Sequence, residues 1–191
     1  MSLRDALTIS IEDVDLSYRW GEQGLGVLLS QLGTLPATTR HQLVINFAMD
    51  AYPADRFGLV LWNHGGGAVS GYGVDELFQE DGLNLYELGI ALDQSYLKTY
   101  PLEFLGFDAC LMANLETASM ASPYARYLVA SEELEPGYGW AYQSWLSELG
   151  QDPAMDGKRI GSAIVDSFLS FYNENEMEDE AMTLSVVDLS R

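Results

Sequence analysis

Apolar and polar positions along this chain predict an alternation of strands and helices. Near the start, Leu7, Ile9 and Ile11 are separated by polar residues, which is the period of a half-buried strand. Further strands are predicted from short apolar runs at 57–63, 102–109, 127–131 and 182–187. Helical patterns are found at 25–32, 38–52, 85–92, 111–120, 140–149 and 157–172. From residue 57 onward the two kinds of element alternate, which favours a mainly parallel sheet with helices on its faces.

Three details make the helix predictions more specific. The helix at 38–52 would present Leu43, Phe47 and Ala51 on one face. Asn84 is expected to cap the helix that follows it, because its side chain can accept a hydrogen bond from the first turn. Between the two, a glycine-rich loop is predicted over 65–82.

Two predicted strands end on chemically reactive residues. His64 follows the strand at 57–63, and Cys110, the only cysteine of the chain, follows the strand at 102–109. Ligands of parallel sheets bind at the carboxyl ends of the strands, so both side chains are expected at the same edge. A thiol and an imidazole placed together form the working pair of a cysteine hydrolase.

The residues around this pair fit the same chemistry. Cys110 directly precedes a predicted helix, whose N-terminus would favour the thiolate. His64 would act as general base and then protonate the leaving amine. Gly65 and Ala109 leave room for a substrate backbone, and the N–H groups of Gly65 and Cys110 would form an oxyanion hole.

Each residue also has a simpler interpretation. A lone cysteine is most often a small buried hydrophobic residue, and a His-Gly pair after a strand is usually a turn. The pair is more persuasive than either residue alone, because both fall on matching strand ends.

The segments Asn63–Gly67 and Gly106–Ala113 resemble those of the clostripain family of cysteine peptidases, which are related to caspases, gingipains and legumains. The spacing from His64 to Cys110 is 46 residues, close to the separation of about 50 in caspases. Further similarity is found at 114–118, 131–133, 136–140 and 183–185. The resemblance implies a caspase-like three-layer α/β sandwich and a bacterial or archaeal peptidase.

The resemblance also implies cleavage of peptide or protein substrates after Arg or Lys. The family's aspartate two residues before the nucleophile lies in the pocket for the residue preceding the cleaved bond, and this position is Asp108. A carboxylate there would pair with a guanidinium. Alternatively, Asp108 caps the following helix. Glu132 and Glu133 would either border the same pocket or be exposed loop acids.

The charge balance changes which ligands are expected. With 9 basic and 29 acidic residues, the formal net charge is −20. Such a chain repels nucleic acid and anionic membranes and favours cationic peptides or calcium, although acidity can also serve solubility alone. Calcium is the one cofactor to consider, with acidic candidates at Asp75, Glu76, Glu80 and Asp81, but these lack the spacing of an EF-hand loop. No metal ligands are therefore assigned.

The length fits one domain over residues 1–191. Because chains of the family that it resembles tend to be longer, the domain could be truncated at one or both ends. No apolar run predicts a bilayer-spanning segment, and the first residues lack a signal-peptide pattern. The resemblance implies a secreted or cell-envelope location, and the sequence leaves the oligomeric state open. Self-cleavage in the loop after the histidine is not expected, because Arg56 and Lys98 enclose a stretch without basic residues. The rival functions are an inactive caspase-like binding or scaffold domain and a small-molecule hydrolase.

Overall fold

The computed structural model describes residues 37–75, 80–175 and 182–190. The strand and helix predicted at 7–11 and 25–32 lie outside these residues. The described elements, in chain order, are α1 (Ala37–Ala51), β1 (Gly58–Trp62), α2 (Gly67–Ser70), β2 (Tyr72–Asp75), β3 (Asp81–Leu83), α3 (Leu85–Asp93), a 3₁₀ turn (Tyr96–Lys98), β4 (Leu102–Asp108), α4 (Leu115–Ala121), β5 (Ala125–Ala130), α5 (Tyr142–Gln151), α6 (Gly157–Glu174) and β6 (Ser185–Asp188).

Four of the strands form one sheet, in the order β1-β4-β5-β6. The first three strands of this order are parallel, and β6 is antiparallel to β5. In the pairing of β1 with β4, Trp62 is opposite Asp108. The carboxyl ends of these two strands therefore lie side by side, as the sequence predicts.

Successive residues of the central strands face opposite sides of the sheet, and both sides are covered. Leu61, Leu105 and Leu128 pack into one core with residues of α1, α3 and α4. Their neighbours Val60, Phe104 and Val129 join a second core with residues of α5 and α6. Strands that are buried on both faces consist of continuous apolar runs, which is why the sequence pattern identified them.

The result is a three-layer α/β sandwich with a mainly parallel sheet, and this confirms the predicted fold class. Among the described residues, no helix combines the length and the apolar character that a membrane crossing requires.

The predicted cap of α3 is confirmed in detail. The Asn84 side chain accepts a hydrogen bond from the Glu87 N–H at 2.9 Å, and the Glu87 carboxylate accepts from the Asn84 N–H at 3.0 Å. This reciprocal capping box defines where the helix begins. The buried face of the helix consists of Leu88, Ala91 and Leu92.

Three predictions need correction. Helix α1 buries Ile45 and Ala48, whereas Leu43 is 42% exposed, because the neighbouring α3 covers a different stripe of the helix. The segment 65–82 is not simply a loop, since it contains α2 and the hairpin strands β2 and β3 among its described residues. The helix predicted from residue 111 begins at Leu115, because Asn114 caps it.

Candidate active site

Strand pairing brings His64 and Cys110 to one edge of the sheet. Each follows a residue of the Trp62–Asp108 pair by two positions. His64 is exposed, and its backbone is held by the β2 segment, since its carbonyl accepts a hydrogen bond from the Gly73 N–H at 2.9 Å. Among the described residues, its imidazole forms no hydrogen bond with the Cys110 thiol or with any other side chain. Hydrogen bonds between catalytic groups often form only once substrate is bound, so the absence of this hydrogen bond is compatible with a working pair.

A tight turn presents Cys110 at the end of β4. The next residue, Leu111, has a left-handed backbone with φ of 64°, which turns the chain sharply after the cysteine. The Asn114 side chain stabilises this turn by donating to the Leu111 carbonyl at 2.9 Å. The same side chain accepts from the Thr117 N–H at 2.8 Å and caps α4. Helix α4 therefore begins beyond the turn, and its N-terminus is not at Cys110 as the sequence predicted.

Gly65 lies directly against the backbone of Cys110. A Cβ atom at Gly65 would overlap the Cys110 carbonyl oxygen and would lie 2.9 Å from the Cys110 nitrogen. Only glycine permits this approach. Within the described part of the chain, neither the Gly65 N–H nor the Cys110 N–H donates a hydrogen bond. Two backbone donors are thus available beside the thiol.

The loop after β5 covers Cys110 from the other side. The Glu135 N–H donates to the Cys110 Sγ at 3.3 Å. The Leu111 N–H donates to the Glu133 carbonyl at 3.0 Å, so the loop is bound to the cysteine turn at a second point. Thr183, just before β6, holds the start of the loop by accepting from the Glu133 N–H at 3.1 Å. The thiol is half-buried as a result.

Asp108, the last residue of β4, points into the layer formed by α5 and α6. It is only 3% exposed. Its Oδ2 accepts hydrogen bonds from the Trp140 N–H at 3.0 Å and from the Tyr142 hydroxyl at 2.7 Å. Burial raises the pKa of Asp108, and these two donors partly offset that effect. The carboxyl is therefore an interior group two residues from the thiol, and it is not the cap of α4, which is Asn114.

A second carboxyl, that of Glu135, contacts Asp108. Its Oε2 accepts from the Trp140 Nε1–H at 3.2 Å, and its Oε1 is buried. Burial, together with the charge of Asp108, raises the pKa of Glu135 to about 10. At neutral pH the Glu135 side chain is thus a neutral carboxylic acid that can donate a hydrogen bond to Asp108.

Small residues allow aromatic side chains to reach this acid pair. A Cβ at Gly106 would lie 2.8 Å from the Trp140 indole. A Cβ at Gly139, whose φ is 64°, would lie 2.8 Å from the Asp108 carboxylate. The Tyr172 hydroxyl donates to the Gly139 carbonyl at 3.1 Å and holds this segment in place.

Sequence analysis did not identify Glu135, Trp140 or Tyr142 as site residues. Their segment was predicted only as an acidic loop and the start of a helix, and their partner Asp108 is about 30 residues away in the chain. The one available indication was the similarity noted around residues 136–140.

The other predicted acids lie elsewhere. Glu132 and Glu133 are exposed, and the Glu132 carboxylate accepts a hydrogen bond from the Ser185 hydroxyl at 2.6 Å. Asp75 and Asp81 both form ion pairs with Arg40, at 3.4 and 3.2 Å. Glu76 lies outside the described residues. Across the described ranges, no group of three or more acidic, histidine or cysteine side chains is arranged to hold a metal ion.

The sequence also matches a known family. A family model described as Peptidase_C11, clostripain family, matches residues 38–191. This chain belongs to the clostripain family. The matched range contains the His64 and Cys110 strand ends and the loop that covers Cys110. No curated protein gives a significant match.

Solved structures of C11 proteases share the fold of this clostripain-family chain. A secreted C11 cysteine protease from Bacteroides thetaiotaomicron, in complex with an irreversible peptide inhibitor, has a TM-score of 0.68 and 23% identity over 80% of this chain and 45% of its own. An inactive zymogen C11 protease from Parabacteroides distasonis has a TM-score of 0.59 and 26% identity over 80% of this chain and 39% of its own.

The secreted B. thetaiotaomicron protease called iotapain has a TM-score of 0.60 and 21% identity, over 83% of this chain and 46% of its own. This chain therefore spans less than half the length of each of these solved chains.

Proposed function

We propose that this chain carries the catalytic centre of a cysteine endopeptidase that cleaves peptide bonds after Arg or Lys. Cys110 is the nucleophile, His64 the general base and acid, and Asp108 the residue that selects a basic side chain. The single observation that carries the proposal is the placement of thiol, imidazole and buried carboxyl at one end of the paired strands β1 and β4.

The catalytic pair is supported by position and by access. The imidazole of His64 is exposed, so that a substrate can enter between it and the half-buried thiol. The Glu135 N–H donates to the Cys110 Sγ at 3.3 Å and holds the sulfur in place at the end of β4. Thiolate attack forms the acyl-enzyme, and the imidazolium protonates the departing amine.

The oxyanion hole is supported by the free backbone donors. In the described part of the chain, the N–H groups of Gly65 and Cys110 have no hydrogen-bond acceptor, and Gly65 contacts the Cys110 backbone. Two unused backbone donors next to the nucleophile would provide the hydrogen bonds that a tetrahedral intermediate requires.

Selectivity for Arg or Lys is supported by charge. Asp108 lies two residues from the nucleophile, and no ion pair of the described residues involves it or Glu135. A buried carboxylate that has no cationic partner among these residues would gain most from a cation supplied by the substrate. The net charge of −20 would also attract basic peptides.

Fluorogenic peptides that end in Arg, Lys, Gln or Asp provide the test. We expect cleavage after Arg and Lys, and loss of that cleavage in Cys110→Ala. Asp108→Asn should lower kcat/KM for the Arg peptide by about 10²-fold, since it removes a charge-assisted pair. The same substitution should leave the weak cleavage of the Gln peptide nearly unchanged.

The rival function, a scaffold domain, makes the opposite prediction. A folded protein that cleaves none of the peptides, and whose Cys110 reacts with an Arg chloromethyl ketone no faster than a free thiol, would overturn the peptidase. Cleavage after Gln and Arg at equal rates would retain the peptidase but remove the role of Asp108.

A further inference from the structure

Glu135 is connected to both halves of the proposed site. Its backbone N–H donates to the Cys110 Sγ at 3.3 Å. Its side chain and that of Asp108 both accept hydrogen bonds from Trp140. The indole N–H donates to Glu135, and the backbone N–H donates to Asp108. Glu135 therefore contacts both the Cys110 sulfur and the Asp108 carboxyl.

Among the described residues, no cationic side chain pairs with either of the two carboxyl groups. The ion pairs in the described part of the chain use other acids. The Glu135 Oε1 is buried and receives no hydrogen bond from a donor of the described residues. A proton on Glu135, donated to Asp108, would satisfy this oxygen and remove the repulsion between two adjacent carboxylates.

We propose that Glu135 is the second carboxyl of the basic-residue pocket, which holds a proton while the pocket is empty and releases it when an Arg or Lys side chain binds. The proposal rests on the proposed function, since it concerns the same pocket. It assigns Glu135 a role in specificity as well as in holding the loop over the thiol.

The exchange balances in charge and in atoms. In the empty pocket, the O–H bond of Glu135 is intact and the pair carries one negative charge. When a guanidinium enters, that O–H bond breaks, the proton passes to solvent, and both carboxylates pair with the cation. Binding is then linked to the release of one proton, so that affinity rises with pH.

In the described part of the chain, the titratable groups that face the pair come from three elements. Strand β4 and its turn contribute Asp108 and Cys110, and α5 contributes Tyr142. Tyr72 of β2 faces Tyr142. The pKa of Tyr142 is raised by burial and by the charge of Asp108, so this hydroxyl keeps its proton at neutral pH. His64 lies at the same edge of the sheet, and the Glu135→Gln variant separates its effect from that of Glu135.

The experiment measures binding without turnover, in the Cys110→Ala protein. The ligand is acetyl-Leu-Arg-amide, and its Kd is measured by titration calorimetry from pH 6 to 8, in phosphate and in Tris. We expect Kd to fall about tenfold per pH unit, and the two buffers to report release of about one proton. In Cys110→Ala with Glu135→Gln, Kd should change less than twofold over the same range. The glutamine amide can still donate to Asp108, so the fold should be retained.

Glu133→Gln is the matched control, because Glu133 is exposed and two residues away on the same loop. In the Cys110→Ala background it should leave the pH dependence unchanged.

A pH dependence that persists in Glu135→Gln would overturn the proposal and assign the proton to a group other than Glu135. A Kd that does not depend on pH in the Cys110→Ala protein would also overturn it, while selectivity for Arg stands. If the folded protein does not bind the Arg peptide at any pH, the basic selectivity of the proposed function fails, and the role of Glu135 fails with it.

Discussion

Two neighbouring regions of this molecule differ in their exposure to solvent and in how their polar groups are hydrogen-bonded. At the strand ends, His64 is exposed and the N–H groups of Gly65 and Cys110 have no acceptor among the described residues. At the buried end of β4, Asp108 is 3% exposed and accepts two hydrogen bonds, and Glu135 contacts it. The first region has unused donors, whereas the second has two adjacent carboxyl groups, one of whose oxygens, the Glu135 Oε1, receives no hydrogen bond from the described residues.

The difference corresponds to the chemistry proposed for each region. A nucleophile, its base and an oxyanion hole must keep their hydrogen-bonding capacity for the substrate and the transition state. A pocket that recognises a cation gains from burial, because desolvation strengthens the attraction between opposite charges. Substitutions in the exposed region should therefore change the rate, whereas those in the buried region should change selectivity and stability.

The largest effect is expected from His64→Ala. Removing a general acid and base should lower kcat for an Arg peptide by about 10²–10⁴-fold, with little change in the free energy of unfolding because the imidazole is exposed. Steady-state kinetics and urea unfolding test this.

The other histidine, His41, is the control for this prediction. Its ring lies 2.8 Å from the Ala37 carbonyl and packs edge-on against Tyr72. His41→Gln should lower stability and leave kcat within about threefold. If His64→Ala cleaved the peptide as fast as the unsubstituted protein, the proposed base would be wrong.

Gly65→Ala should have the next largest effect. Its Cβ would overlap the Cys110 carbonyl, so the two backbones must separate and the donors of the oxyanion hole move. Losing one such donor typically costs about 10²–10³-fold in kcat.

Gly137→Ala is the matched control, since a Cβ there would meet no atom within 4 Å. It should leave kcat unchanged. Equal kcat in both variants, measured with the Arg peptide, would show that Gly65 has no part in the oxyanion hole.

The smallest effect concerns stability and arises in the buried region. The pKa of Glu135 is about 10 in the folded protein, against an ordinary value of 4.5. The folded state thus holds a proton that the unfolded state releases, so the stabilisation is complete below pH 4.5 and is lost as pH rises towards 10. Between these limits the free energy of unfolding should fall by roughly 1 kcal/mol per pH unit.

Urea unfolding from pH 5.5 to 8.5 measures this slope. Glu135→Gln cannot titrate and should flatten it, whereas Glu133→Gln should not. If Glu135→Gln kept the slope, the two carboxyls would not share a proton in the folded state.

Much of the scaffold could be predicted from local patterns. The continuous apolar runs of β1 and β4 identify buried parallel strands, and Asn84 marks the start of α3 because capping is a local interaction. The positions of His64 and Cys110 at strand ends follow from the same patterns. The predicted helix start at residue 111 was wrong, since periodicity does not reveal that Leu111 adopts a left-handed backbone and that Asn114 caps the helix instead.

The sequence by itself determined the fold class, the membership of the clostripain family, the strand ends that carry His64 and Cys110, and the acidic character of the chain. Only the tertiary structure decided which of its acids belong together. Asp108 meets Glu135, which sequence analysis did not select, and not the neighbouring Glu132 and Glu133 that it did select. The physical reason is that burial and close approach raise the pKa of both carboxyls, and both depend on how α5, α6 and the loop after β5 pack against the end of β4.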